Sequence, residues 1–481
     1  MAVLVCDIGT SSIRAAIVTD DATVLHEEHR DNLPDSPAPG MVEFDAALLA
    51  RLVLDSARAC LAAWGGPVEA VGITNQRGSA VVWDRATGEP VAPAQGWQDL
   101  RTIMNCLIHQ AAGLRFAPNA AGTKFESILD AVDPERERDL CIGTVDSWIA
   151  WVLTEGAAHV TDASNAAVTV MRRADGSGWH PTALEALRIP ERMLPRVVDT
   201  SGIVGPATAL PGAPPLAALI GDQQASLVGQ GCVAAGPAKI TFGTGGMLDL
   251  VLGADRPDFE TRGGGGTFPI VTSEIGGELI WGLEAIMLSA GTNVEWLRDD
   301  LGILASSAES HDVAQQCADT GGVMYVPALM GLGTPNWDYG ARGTLLGLTR
   351  GSGRPQIVRA VLEGIAERGA DLVEAAETDA GAPIDVLRID GGMSRNPTFV
   401  QALADAAQKP VEISPVCEAT TLGAGFMAGL AVGMWPSLAS LADTWSPIAR
   451  YEPGEATDRT QWKRAVERAA KWLPDLSAVD F

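Results

Sequence analysis

The chain has 481 residues, 47% of them hydrophobic, with 60 acidic against 34 basic side chains and a formal net charge of −26. That length suits two or three domains. So acidic a surface argues against a nucleic-acid backbone or an anionic membrane as the main partner, because both need a basic face. Residues 3–6 are apolar and predict a first strand. Asp7, Ile8, Gly9 and Thr10 predict a turn, 13–19 a second strand, Asp20 and Asp21 a turn, and 23–26 a third strand, the pattern of hairpins. The opening MAVLVCDIGT lacks a basic stretch, so its apolar run is expected to be a strand and not a signal peptide. Three prolines and a glycine make 31–40 a loop. Asp45 then predicts an N-cap for a helix to about Ala63, with Leu48, Leu49, Leu52, Val53 and Ala57 at helical spacing. Strands are expected over 68–74 and 80–83, and a short helix over 145–154.

Further along, 216–220 and 323–327 predict strands and 356–375 a helix with Ile357, Val361, Ile365 and Leu372 in one stripe. Residues 386–389 predict a strand ending in Asp390-Gly391-Gly392. Helices are expected over 396–407, 422–432 and 460–472. The second of these is rich in glycine and alanine and should pack closely on a neighbour. No apolar stretch reaches the ~18 residues of a membrane helix. Seven scattered cysteines (Cys6, Cys60, Cys106, Cys141, Cys232, Cys317, Cys417) form no C-x-x-C, so neither disulfides nor a zinc site is expected, and a reducing cytoplasm fits.

Two features recur at half the length. Residues 6–18 read CDIGTSSIRAAIV and residues 240–252 read ITFGTGGMLDLVL. Both place Gly-Thr after an apolar run and before a second β-rich run. Common strand–glycine–strand hairpins explain the echo, and so does a duplicated α/β domain. The boundary is placed at Gly231-Cys232, giving domains 1–231 and 232–481.

Glycine is in excess, 53 residues or about 11% against a usual ~7%. Backbone N–H groups wrap an oxyanion only where no Cβ obstructs them. Gly9, Thr10 and Ser11, and again Gly243 and Thr244, join glycine to hydroxyl donors as a phosphate cradle does; two ordinary tight turns have the same composition. Asp7 adds a hard oxygen ligand suited to Mg²⁺. There is no G-x-x-x-x-G-K-[ST], and no lysine is read beside either loop, which disfavours a Walker-type site. Asp222 follows an apolar strand and precedes a helix. It is either an N-cap or a carboxylate at the carboxyl end of a strand, where open α/β sheets bind ligands and where it could take a proton from a hydroxyl. Arg77, Trp97, Gln98, Asp99 and Arg101 gather donors around an indole, as a binding wall for a hydroxylated molecule or as surface ion pairs about a core tryptophan.

Several longer motifs stand in order: GDQQASLVGQG (221–231), ITFGTGG (240–246), SAGTNVEWLRD (289–299), GVMYVPALMGLGTPNWD (322–338), GTLLGLTRGSGRPQIVRAVLEG (343–364) and RIDGGMSRN (388–396). Together they resemble the FGGY carbohydrate kinases, with glycerol kinases as the nearest pattern, over nearly the whole chain. The resemblance implies an α/β fold of two duplicated actin-like, ribonuclease H-like domains, with ATP, Mg²⁺ and a small polyol or sugar in the cleft between them. It implies Asp222 as catalytic base, Gln223, Arg77, Gly78 and Trp97 at the substrate, and Asp7 near the metal. Gly9, Thr10, Ser11, Arg14, Gly243 and Thr244 fall at phosphate-loop positions, and Gly291, Gly392 and Asn396 around the nucleotide. A homodimer is an open expectation.

The chain departs from glycerol kinases at four places. Gly78 stands where they carry glutamate, Asn119 where they carry a tyrosine five residues before a lysine (here Lys124), Met247 where they carry an aromatic, and Ser127 where a tryptophan is usual. Gly78 is expected to leave room for a longer polyol or a ketose. Glycerol kinase proper, a xylulokinase-like pentulose kinase, a non-catalytic sugar-binding regulator, and an actin-like filament or chaperone ATPase are the competing readings.

Overall fold

The computed structural model describes residues 1–415 and 419–479. The first sheet is built from β1 (Ala2–Ile8), β2 (Ser12–Thr19), β3 (Val24–Asp31), β4 (Ala70–Asn75), β5 (Ser201–Pro206) and β6 (Pro215–Gly221). Its order is β5-β6-β4-β1-β2-β3. The second contains β7 (Pro237–Phe242), β8 (Gly246–Gly253), β9 (Phe268–Ile275), β10 (Glu278–Met287), β11 (Val386–Asp390), β12 (Val411–Ile413) and β13 (Ala449–Tyr451). Its order is β9-β10-β8-β7-β11-β12-β13.

The two sheets share one topology. β1 pairs antiparallel with β2 and parallel with β4; β7 pairs antiparallel with β8 and parallel with β11. The next neighbours match as well, β6 running parallel to β4 as β12 does to β11. The echo between 6–18 and 240–252 is therefore a pair of equivalent hairpins. Their turns differ in length: residues 9–12 lie between the paired Ile8 and Ile13, and residues 243–245 between the paired Phe242 and Gly246.

Helix α1 (Ala46–Trp64) is capped by Asp45, whose carboxylate accepts from the Leu48 N–H, and ends at Gly65 in the left-handed region. It lays Leu49, Val53 and Ala57 on Leu4, Cys6 and Ile8 to form the first core. The second core packs Val361, Ile365 and Leu372 of a long helix, Arg354–Ala380, on Ile240, Phe242 and Leu248. A third cluster joins the halves. Phe426, Met427 and Ala428, from the helix Ala419–Ala431, pack on Val3, Val5 and Ile220 of the first sheet. This helix crosses another, Asp222–Gly229, at two glycines. A Cβ on Gly423 would lie 1.8 Å from the Ala225 carbonyl oxygen, and one on Gly229 1.9 Å from that of Ala419. The close packing expected of the glycine-rich helix is thus met, and part of the glycine excess is explained.

Two expectations shift. Asp7 lies within β1 and not in the turn, because β1 is paired through Ile8 on both sides, with Ile13 of β2 and Asn75 of β4. The third strand continues to Asp31. The six described cysteines are free, and Cys417 lies outside the described residues. Among the described residues no helix is long and apolar enough to cross a membrane.

Candidate active site

Asp222 opens the helix Asp222–Gly229, hereafter α2, directly after β6. The N-cap position is Gly221, and no side chain caps this helix, so the capping role weighed for Asp222 is not what the structure shows. Its carboxylate lies 3.5 Å from the Arg77 guanidinium and accepts from the Gln223 N–H at 2.8 Å. Burial pushes its pKa upward, while Arg77, then the Gln223 N–H and then Lys239 pull it back down. The side chain is 29% exposed, so a ligand can reach it.

Arg77 is nearly enclosed. Besides Asp222 it holds Glu284 of β10, 2.5 Å away; burial lowers the Arg77 pKa, and Glu284 followed by Asp222 more than offsets this and raises it. Gly78 follows at φ +72°, a conformation that strains any other residue. A Cβ there would lie 2.4 Å from the Asn119 carbonyl oxygen and 3.6 Å from Trp97. The room expected at Gly78 is therefore absent: the Asn119 backbone fills it. Asn119 also donates from Nδ2 to the Trp97 carbonyl at 3.2 Å. Its loop is pinned by Lys124, fully buried, whose Nζ donates to the carbonyls of Pro118 and Ala120 at 2.5 and 3.0 Å. Burial drives the Lys124 pKa down to about 7.

The first turn is tied to this wall. The Trp97 indole donates to Thr10 Oγ1 at 3.0 Å, and Gln76 Nε2 to the Gly9 carbonyl at 3.3 Å. Ser11 is exposed. Asp7 accepts from Thr421 Oγ1 at 2.8 Å, and Arg14, its cross-strand partner, lies 3.5 Å away. Asp99 and Arg101 instead form an ion-pair group with Glu43, and Asp99 also accepts from the Val42 N–H; the pairing is structural, but Asp99 is fully buried and not on the surface as expected.

The second group assembles around the turn at 243–245. Gly243 and Thr244 are exposed, and nothing surrounds a Cβ placed on Gly243 or Gly392. Gly291 donates its N–H to the Gly243 carbonyl at 2.9 Å, and Ala290 to that of Thr244 at 2.8 Å. Gly391, at φ +84°, lets β11 close on β7: its Cβ would lie 2.3 Å from the Phe242 carbonyl oxygen. Asn396 caps the helix Pro397–Ala407 and donates to Ser310 Oγ at 2.9 Å. Gly291 and Gly391 are thus brought against the 242–244 segment, while Asn396 is engaged as a helix cap.

Sequence reasoning passed over Lys239, four residues before Gly243. It is fully buried, donates to Gln223 Oε1 at 2.6 Å and to Thr241 Oγ1 at 3.1 Å, and pairs with Asp249 at 2.7 Å. Burial pushes Asp249 upward against the pull of Lys239. The signal was a lone charge inside an apolar strand, as also in Asp249 and Glu284.

Residues 2–229 match the N-terminal domain, and residues 238–432 the C-terminal domain, of the FGGY family of carbohydrate kinases. The chain belongs to that family. Its fold is accordingly the two-domain actin-like one. A glycerol kinase of Aromatoleum aromaticum is 41% identical over 98% of this chain and 99% of that protein. One of Alkalilimnicola ehrlichii is 40% identical over the same shares. The solved structure of Plasmodium falciparum glycerol kinase with ADP superposes with a TM-score of 0.90 at 26% identity, covering 100% of this chain and 99% of that one. A xylulose kinase of Lactobacillus acidophilus shares the fold, with a TM-score of 0.86 at 19% identity, covering 99% of this chain and 98% of that one. This FGGY kinase is a phosphotransferase with an alcohol group as acceptor.

Proposed function

We propose that the protein transfers the γ-phosphoryl group of Mg²⁺-ATP to a hydroxyl of a small polyol or ketose, with Asp222 as general base. The observation that carries this reading is the Asp222 carboxylate, partly exposed at the end of β6 and fixed by Arg77. Held there, it can orient an acceptor hydroxyl and take its proton, a contribution of roughly 10²–10⁴-fold. Gln223, Trp97 and Arg77 are the acceptor's other contacts. The name of the 40% identical relatives makes glycerol the first acceptor to try, and Gly78, filled by Asn119, does not favour a longer one.

The residues present fit the nucleotide. Mg²⁺ binds through one or two carboxylates and phosphate oxygens, and Asp7 supplies such a carboxylate beside the first turn. The ion would offset charge on the phosphates. Backbone N–H groups and hydroxyls of Thr10, Ser11, Gly243 and Thr244, with Arg14, would hold phosphate oxygens, while Gly9, whose N–H is donated to the Ser12 carbonyl at 2.9 Å, closes the turn beneath them; Gly291, Gly392 and Asn396 would border the nucleoside. Positioning and charge neutralisation are most of what this reaction asks of a protein. We place the hinge between two domains, 1–231 and 232–481, at 231–236, so that closure excludes water. A reduced cytoplasmic setting and a homodimer belong to the same reading.

A coupled ADP-release screen over glycerol, C4–C6 polyols and pentuloses tests it. Saturable acceptor-dependent ADP formation is expected. Binding of acceptors without turnover would support a sugar-binding regulator instead.

A further inference from the structure

One row of the second sheet is charged across six of its seven strands, from edge strand β13 to β10, and stops at Phe268 of β9. Arg450 stands opposite Glu412, Glu412 opposite Arg388, Arg388 opposite Lys239, Lys239 opposite Asp249, and Asp249 opposite Glu284. Directly opposed residues share a face, so these six side chains form a single line. The face they share is turned toward α2. At one end of α2, Lys239 holds Gln223 at 2.6 Å and Glu284 holds Arg77, the partner of Asp222, at 2.5 Å. At the other end, Arg388 donates to the carbonyl of Gln230, the C-cap, at 2.5 Å. The spans agree. Arg388 to Glu284 crosses three strand spacings, about 14 Å, and eight helical residues extend about 12 Å.

Stability does not account for this row. Lys239 and Asp249 are fully buried. Buried ion pairs are often replaceable by apolar residues of similar volume at no loss, because desolvation offsets their attraction. What apolar residues would not supply is a grip on Gln223, Arg77 and the Gln230 carbonyl.

We propose that Lys239, Asp249 and Glu284 are positioning residues for the transfer step, a charged row that clamps α2 and sets the orientation and protonation of Asp222. The proposal rests on the reading of Asp222 as base. The charged groups acting on Asp222 are Arg77 from the loop after β4, Lys239 from β7 and Glu284 from β10, with Asp249 of β8 behind Lys239 and Arg77. Lys239 favours the carboxylate and Glu284 opposes it.

The two signs make the test specific. The pH dependence of kcat/KM for the acceptor is measured on the full chain as wild type, Lys239→Met/Asp249→Asn and Glu284→Gln. Losing the cation raises the Asp222 pKa, so the acid limb of the double variant moves to higher pH. Losing the Glu284 charge moves the limb to lower pH. Glu284→Gln, which keeps a hydrogen-bond acceptor for Arg77, serves alone where the double variant does not fold. Acid limbs that coincide, or that move the same way in Lys239→Met/Asp249→Asn and Glu284→Gln, overturn the proposal. Wild type without acceptor-dependent turnover instead overturns the proposed function.

Discussion

The two hairpin turns have one topology and opposite character. At the first, side chains hold three of the groups: Thr10 by Trp97, the Gly9 carbonyl by Gln76, Asp7 by Thr421. At the second, Gly243 and Thr244 are exposed, and contacts are mostly between backbones, through Gly291 and Gly391, with Thr292 Oγ1 donating to the Thr244 carbonyl at 3.3 Å. Duplication thus preserved the strands while the ends diverged. One end became a turn tied by side chains to the wall that carries Trp97 and Gln76. The other became an open rim of amides suited to a polyanion. This also reconciles a charge of −26 with a phosphorylated ligand, since amides and hydroxyls act locally while surface charge is screened over about 8–10 Å.

Substitutions can break this contrast. The largest effect is expected for Asp222→Asn: a loss of roughly 10²–10⁴ in kcat with an unchanged melting temperature. In wild type, the base must be ionised, and burial raises its pKa. Hence kcat/KM should fall with decreasing pH along a limb lying above the ordinary aspartate value of about 4. Next comes a pair of adjacent glycines. Gly391→Ala meets the Phe242 carbonyl and a left-handed φ, and should destabilise by about 1–3 kcal/mol in thermal or denaturant unfolding. Gly392→Ala faces open space and should stay within about 0.5 kcal/mol. On the first side, Gly78→Glu restores the residue of glycerol kinases, yet it should destabilise by about 1–3 kcal/mol and fail to improve KM for glycerol, because the Asn119 carbonyl occupies the site. Among the destabilising changes the mildest is expected for Trp97→Phe, which removes one hydrogen bond to Thr10, about 1 kcal/mol in stability.

Much of this contrast was legible in the sequence. Asp45 and the apolar spacing after it marked α1 at both ends, and the Gly-Thr echo marked both turns. Other features were not. Strand β3 ends in HEEHRD, whose alternating partial exposure at the sheet edge reads locally as loop. The tighter second turn shifts the register of β8 by one residue relative to an ungapped alignment, so Arg14 faces Asp7 while Leu248 faces Ile240. The filling of Gly78 depends on Asn119, 41 positions away, and no local pattern records it. The charged row was equally hidden, because its members come from six separate strands and meet only through sheet register.

The central claim is phosphoryl transfer to an alcohol, and the product itself tests it most directly. The acceptor found by the screen is incubated with the protein and Mg²⁺-ATP and then analysed by mass spectrometry alongside ADP. One phosphoryl group gained by the acceptor for each ADP formed is the predicted result. ADP accompanied by free phosphate and an unmodified acceptor would contradict it, and would make the protein an ATPase on this fold.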